Sequence, residues 1–120
     1  MFLGLGGILA LIAIGAVVFA VVNITLDWLR TKVKEKLQKK TVKKVFVKDI
    51  EQMVKECENK MTFDEFNDVK EAAKDADLVM ATLDENNQVD EVELIKDRNS
   101  KLDREVEELL KSRKEILITT

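Results

Sequence analysis

The sequence predicts an α+β fold in which a single N-terminal transmembrane helix precedes one small domain. Residues 1–26 contain no charged side chain, and this apolar run exceeds the roughly 20 residues that a helix needs to cross a bilayer. Strand-like and helix-like patterns then alternate over a charged segment long enough for one domain. We therefore divide the 120 residues into a transmembrane helix at 1–26, a basic juxtamembrane helix at 27–44 and an acidic α+β domain at 45–120.

The charges that flank the apolar run predict its orientation. No Lys or Arg precedes it, whereas residues 27–48 contain nine Lys and Arg against two acidic residues, a local charge of +7. A cleavable signal peptide would need a positive segment before the apolar run, and none is present. The positive-inside rule therefore predicts a single-pass membrane protein with its amino terminus outside and its C-terminal domain in the cytoplasm.

Two groups of residues are expected to act at the membrane. Basic residues directly after a membrane helix attract anionic lipid, although they can equally serve only as a topology signal. Small residues along a span let a second helix approach closely, but they are also common in membrane helices generally. The lipid-contacting candidates are Trp28, Arg30, Lys32, Lys34, Lys36, Lys39 and Lys40, and the helix-association candidates are Gly6, Ala10, Ala13 and Ala20.

The acidic domain is predicted to run strand, helix, helix, hairpin, helix, strand. The β-branched run at 45–47 favours a strand. Asp49 is suited to cap a helix over residues 50–58, and Thr62 opens a second helix over residues 63–76 with the T-x-x-E pattern of a capping box. A further helix is capped by Ser100 and Asp103, and the final residues, EILITT, favour a terminal strand.

The hairpin is predicted from the segment DLVMATLDENNQVDEVELIKD, in which apolar and polar residues alternate. If Asn86 and Asn87 form a two-residue turn, one face of the hairpin is apolar and the other faces solvent. The apolar row then pairs Leu83 with Asp90, Ala81 with Val92 and Val79 with Leu94, and the solvent-facing row pairs Met80 with Glu93 and Thr82 with Glu91.

The composition argues against catalysis and against cofactor chemistry. The chain has no His and a single cysteine, Cys57, so the commonest general base and the commonest metal ligand are both missing. The spacing of Cys57 places it on the apolar face of its helix, where it is a core residue. We therefore predict no enzymatic activity and no cofactor. We also predict no nucleic-acid binding, because the basic stretch lacks interleaved aromatic residues and the acidic domain would repel phosphate.

The function predicted first is a membrane-anchored, non-enzymatic interaction module on the cytoplasmic face of a membrane. A small domain without a disulfide has a marginal core, so its partners are expected to be the lipid bilayer together with a protein or a second copy of the chain. One alternative is a calcium-responsive module, because two loops resemble degenerate EF-hand loops. Another is a small membrane-active protein of the holin or toxin kind. The candidate metal ligands are Asp84, Asn86, Asp90 and Glu93.

The carboxyl-terminal part of the domain resembles the end of a TonB carboxyl-terminal domain. Both have a hairpin, then a helix that opens with Leu-Asp, here within LDREVEELL, then a strand. TonB proteins hold this domain outside the inner membrane on a proline-rich linker, whereas this chain contains no proline. The resemblance therefore concerns the order of elements, and the TonB function is not carried over.

Overall fold

The computed structural model describes residues 5–58, 60–99, 103–113 and 115–119. Over these residues it contains one mixed five-stranded sheet in the strand order β1-β4-β3-β2-β5, with helices on both of its faces. The elements in chain order are α1 (Leu5–Ala13), β1 (Val18–Val22), α2 (Leu26–Leu37), β2 (Lys44–Asp49), α3 (Ile50–Cys57), α4 (Phe63–Ala73), β3 (Leu78–Leu83), β4 (Val89–Asp97), α5 (Arg104–Arg113) and β5 (Glu115–Thr119).

The sheet is built around the antiparallel strands β2, β3 and β4. β5 adds to β2 in the antiparallel sense, whereas β1 adds to β4 in the parallel sense, with Val18 beside Glu93 and Val22 beside Asp97. The first and last strands of the described chain therefore form the two edges of the sheet.

Two apolar cores lie on opposite faces of the sheet. The first core joins α1, α3 and α4 to one face, and it includes Ile8, Ile12, Met53, Val69 and Leu94. The second core joins α2 and α5 to the other face, and it includes Leu29, Val33, Met80, Ile95 and Val106. The centre of the sheet is consequently covered on both faces, which explains why its central strand β3 is buried at every position.

The predicted transmembrane helix is not present among the residues that the structure describes. The apolar run instead folds into the nine-residue helix α1, a turn in which Gly15 has a positive φ of 78°, and β1. No helix within the described ranges is long and apolar enough to cross a membrane. The prediction of a membrane helix before an α+β domain is therefore wrong, and so is the single-pass location with a cytoplasmic domain that was derived from it.

The run is apolar for a different physical reason. Ile8 is fully buried and Ile12 is only 1% exposed, because α1 packs on α4 and on the sheet. A short buried helix followed by a β-branched strand has the same mean hydropathy as a membrane span, so hydropathy alone does not separate the two.

The predicted solvent-facing side of the hairpin is also wrong. Met80 is 1% exposed, Thr82 is 2% exposed and Glu93 is 7% exposed. These residues are covered because α2, which the charge pattern assigned to the membrane surface, packs Leu29 and Val33 in the second core instead.

The hairpin pairs as predicted except next to its turn. Ala81 lies beside Val92 and Val79 beside Leu94, but an irregularity at the end of β3 brings Leu83 beside Val89 rather than Asp90. The turn is longer than the two residues expected, and within the described chain Asn87 is the only residue other than glycine with a positive φ, 61°. A left-handed residue after a tight turn is the usual source of such a bulge.

The predicted helix caps are present. The carboxylate of Asp49 accepts a hydrogen bond from the Gln52 N–H at 3.1 Å, and the Thr62 hydroxyl accepts one from the Glu65 N–H at 3.2 Å. α4 ends at Ala73, earlier than predicted. Cys57 is fully buried, as predicted, whereas the predicted cap Ser100 lies outside the described residues.

Candidate interaction edge

The outer edge of β1 is the strongest candidate for a functional surface. β1 has β4 on one side and, among the described residues, no strand on the other. We use the name β1 edge for the outer side of this strand, with Val18, Phe19 and Val21 as its side chains. These are 52%, 47% and 46% exposed, respectively, so the strand presents an apolar surface to solvent.

Local sequence explains why this segment is a strand. Residues 17–22, VVFAVV, are mostly β-branched or aromatic, and such residues suit a pleated, half-buried surface. Gly15 supplies the positive φ that turns the chain after α1. At the other end, the carboxylate of Asp97 accepts a hydrogen bond from the Ile24 N–H at 2.9 Å, and Thr25 then caps α2 by accepting from the Trp28 N–H at 3.1 Å.

One backbone hydrogen bond shows which residues of β1 face outward. The Val22 carbonyl accepts a hydrogen bond from the Arg98 N–H at 2.7 Å, so the polar backbone groups of Val22 point toward β4. The backbone groups of alternate residues in a strand point to opposite edges. Phe19 and Val21 therefore present their N–H and C=O groups along the free side of the strand.

The β1 edge lacks the features that usually keep a strand edge from pairing. Natural edges are protected by charged side chains, by proline or by bulges, and Val18–Val22 contains neither a charged residue nor proline. Its pairing with β4 is regular over all five residues. Such an edge is a template for a further strand.

A buried ion pair lies on the opposite face from α1. The Lys36 ammonium, on α2, donates hydrogen bonds to the carboxylates of Glu91 and Glu93 on β4. Burial lowers the pKa of Lys36, but the bonds to the two carboxylates outweigh it and leave this pKa raised. The hydrogen bond from Lys36 holds the pKa of Glu91 below its ordinary value. These hydrogen bonds link α2 to β4 of the sheet.

Thr82 carries a buried hydroxyl without a hydrogen-bond partner among the described residues. We expect Thr82→Val to raise the free energy of unfolding by about 1 kcal/mol, because valine keeps the shape and removes a desolvated polar atom. Chemical denaturation of both proteins measures the difference. Thr62→Val, at a helix cap, is the control and should lower stability by about 1 kcal/mol. A destabilised Thr82→Val protein would mean that the hydroxyl is satisfied in solution.

The predicted lipid-contacting residues range from buried to exposed in the structure. Lys36 is buried in the ion pair, and Trp28 is half-buried against the second core. Lys32 is half-buried, and the exposed members of the set are Arg30, Lys34, Lys39 and Lys40.

The predicted helix-association residues do not form one stripe. Gly6, Ala10 and Ala13 belong to α1, whereas Ala20 lies at the centre of β1. Ala10 is exposed, and Ala13 is half-buried against the first core. Because the helix ends before β1 begins, these four residues do not share one face of a single helix, as the prediction required.

The predicted calcium ligands are not brought together. One carboxylate oxygen of Asp84 accepts the N–H groups of Asn86 and Gln88 at 2.8 and 3.0 Å, so it stabilises the turn. Glu93 is paired with Lys36 on the covered face of the sheet, and Asp90 is exposed at the start of β4. No group of three metal-ligand side chains is present in the ranges that the structure describes.

An open groove of about 1060 Å³ lies between α3, α4 and α5. Lys55, Lys70 and Lys74 line it alongside Asp49 and Glu51. Because both signs of charge are interspersed, the groove has no field that would select an anion or a cation. Its composition does not point to a ligand class.

Comparison with protein-family models, with curated proteins and with solved structures gives no match to this chain.

The sequence prediction missed Phe19 and Val21 as functional candidates. Both residues were assigned to a membrane helix, and a helix has no strand edge. The pattern that could have revealed them is the β-branched run at 17–22, which begins two residues after Gly15, because a glycine followed by such a run is typical of a turn and a strand.

Proposed function

We propose that this chain is a non-enzymatic protein-interaction module that binds an extended polypeptide segment along the β1 edge. The bound segment would extend the sheet by one strand, with main-chain hydrogen bonds to Phe19 and Val21 and apolar contacts to the exposed side chains. The observation that carries this proposal is the free, uncharged and apolar edge of β1. Main-chain pairing would supply affinity, and the side chains would supply selectivity.

The ligand class follows from the chemistry of the edge. A strand edge offers alternating donors and acceptors, which only an extended backbone matches along its length. Because Val18, Phe19 and Val21 are apolar, a matching segment carries β-branched or aromatic residues at alternate positions. A strongly charged segment would lose hydration without gaining an opposite charge.

A displayed library of short random peptides, selected on the purified full chain, tests the proposal. We expect the selected peptides to be apolar at alternate positions and to bind Phe19→Lys about tenfold more weakly, because a lysine at a strand edge opposes the approach of an apolar strand. Fluorescence polarisation with a labelled selected peptide measures the affinities. N-methylation of the alternate backbone nitrogens that face β1 should abolish binding, whereas N-methylation of the other alternate set should not.

Phe63→Lys is the matched control, because Phe63 is 78% exposed at the first residue of α4 and is not part of the β1 edge. It makes the same replacement of an exposed phenylalanine, so we expect wild-type affinity. The proposal fails if the library yields no binders at a protein concentration at which the chain is monomeric, or if the selected peptides bind the Phe19→Lys and Phe63→Lys proteins equally well.

A further inference from the structure

We infer that the segment bound by the β1 edge is the β1 strand of a second copy of this chain, in an antiparallel pair centred on Ala20. This inference rests on the proposed function and names its partner. The two sheets would join into one continuous sheet across a twofold axis, which is the symmetry of most protein dimers.

The outward backbone groups of β1 fit such a pair. Phe19 and Val21 both direct their N–H and C=O groups away from β4, as the bond from Arg98 to the Val22 carbonyl requires. In an antiparallel pair centred on Ala20, Phe19 of one copy lies directly opposite Val21 of the other. Each of these two positions becomes a hydrogen-bonded pair, and Ala20 meets its own counterpart in a non-hydrogen-bonded pair.

The side chains also match in this register. Opposed residues of an antiparallel pair project to the same face of a sheet. Phe19 of each copy would therefore pack beside Val21 of the other, and Val18 beside Val22. Pairs of an aromatic with a β-branched residue are among the favourable cross-strand combinations. The small side chain of Ala20 allows close approach at the axis, where the two strands are nearest.

The absence of charge on β1 is compatible with pairing to a second copy. All 43 charged residues of the chain, 20 basic and 23 acidic, lie after residue 26. Two β1 strands can therefore pair without placing like charges opposite each other, which would be destabilising. A second copy supplies an uncharged, β-branched strand of the same length.

Sedimentation velocity on the full chain, from about 1 to about 100 micromolar, tests the dimer. We expect a concentration-dependent dimer and at least a tenfold higher dissociation constant for Val21→Pro, because proline removes an outward N–H that β4 does not use. Phe63→Pro is the matched control. It places proline at another exposed apolar position, the first residue of α4, where proline is tolerated.

Disulfide trapping tests the register. Ala20→Cys should form an intermolecular disulfide, because the non-hydrogen-bonded pair brings the two Cα atoms to about 4.5 Å. Val18→Cys should not, because its counterpart would lie about 13 Å away along the strands. The native Cys57 is fully buried, and burial raises the pKa of its thiol, so it should stay reduced in both proteins.

The outcomes separate the two proposals. If the chain stays monomeric while library peptides bind the β1 edge, the dimer is wrong and the proposed function stands. If neither dimers nor peptide complexes form, both are wrong. Equal trapping through Ala20→Cys and Val18→Cys would indicate parallel pairing, and species that grow beyond a dimer would indicate an open, head-to-tail contact. Either result overturns the inferred dimer.

Discussion

Ile12→Ala should lower the free energy of unfolding by about 2–5 kcal/mol. Ile12 is 1% exposed in the first core, where α1 packs on the sheet and on α4. The substitution removes three carbons from a closely packed site and leaves a cavity that its neighbours fill only in part. Urea denaturation of the purified full chain, followed by the fluorescence of Trp28, measures the change.

Ile14→Ala is the matched control. Ile14 lies two residues further along the chain and is 75% exposed, so the same truncation should change stability by no more than about 0.5 kcal/mol. If both substitutions are neutral, the amino-terminal apolar run does not pack against the rest of the chain, and the edge strand that follows it is in doubt.

Lys36→Met should destabilise the protein by about 3 kcal/mol near neutral pH. The Lys36 side chain is 11% exposed and its partner Glu93 is 9% exposed, so removing the ammonium leaves carboxylates in the interior without a counter-charge. The value is near the lower end of the range for broken buried pairs, because Glu91 is 32% exposed and keeps part of its hydration. Thermal and chemical denaturation provide the measurement.

Two further variants test whether the loss of stability is specific to the ion pair of Lys36. Lys34→Met removes an exposed lysine from the same helix and should change stability by less than about 0.5 kcal/mol. Lys36→Met combined with Glu93→Leu should recover much of the loss, because it removes the buried charge that lacks a partner. Equal stability of Lys36→Met and Lys34→Met would show that the ion pair contributes nothing.

The loss of stability caused by Lys36→Met should become smaller as the pH falls. Lys36 lowers the pKa of Glu91 from its ordinary 4.5. Its contribution to stability is therefore present above that value and is lost as the pH falls through the lowered pKa. The variant lacks this contribution, so the difference between the two proteins should narrow on acidification. A difference that stays constant from neutral pH to about pH 3 would contradict this assignment.

The elements between β2 and the hairpin could be predicted because short-range rules decide them. Asp49 and Thr62 satisfy the first N–H groups of their helices through their own side chains, and such caps are visible in sequence. The pairing of Val79 with Leu94 follows from strict alternation. The pairing next to the turn differs, because Asp84 accepts N–H groups from Asn86 and Gln88 and stabilises a longer loop.

The amino-terminal quarter could not be predicted because its structure depends on distant partners. Apolar residues such as Ile12 and Phe19 are expected both in a helix that spans lipid and in a helix or strand that packs on a sheet. The choice between them is made by β4, which pairs with β1, and by α4, which covers α1. The β1 edge was missed with it, because an edge exists only once the strand order of the sheet is known.

The parallel pairing of β1 with β4 also constrains how the protein can be made. The chain is synthesised from its amino terminus, so β1 leaves the ribosome before its partner has been translated, and more than half of the 120-residue sequence separates Val18 from Glu93. Closing that long loop has an entropic cost that grows with its length. Until it closes, the apolar amino-terminal segment has no strand of its own chain to pair with. The nascent chain is therefore most prone to self-association during translation, through the same residues by which the folded protein is proposed to associate.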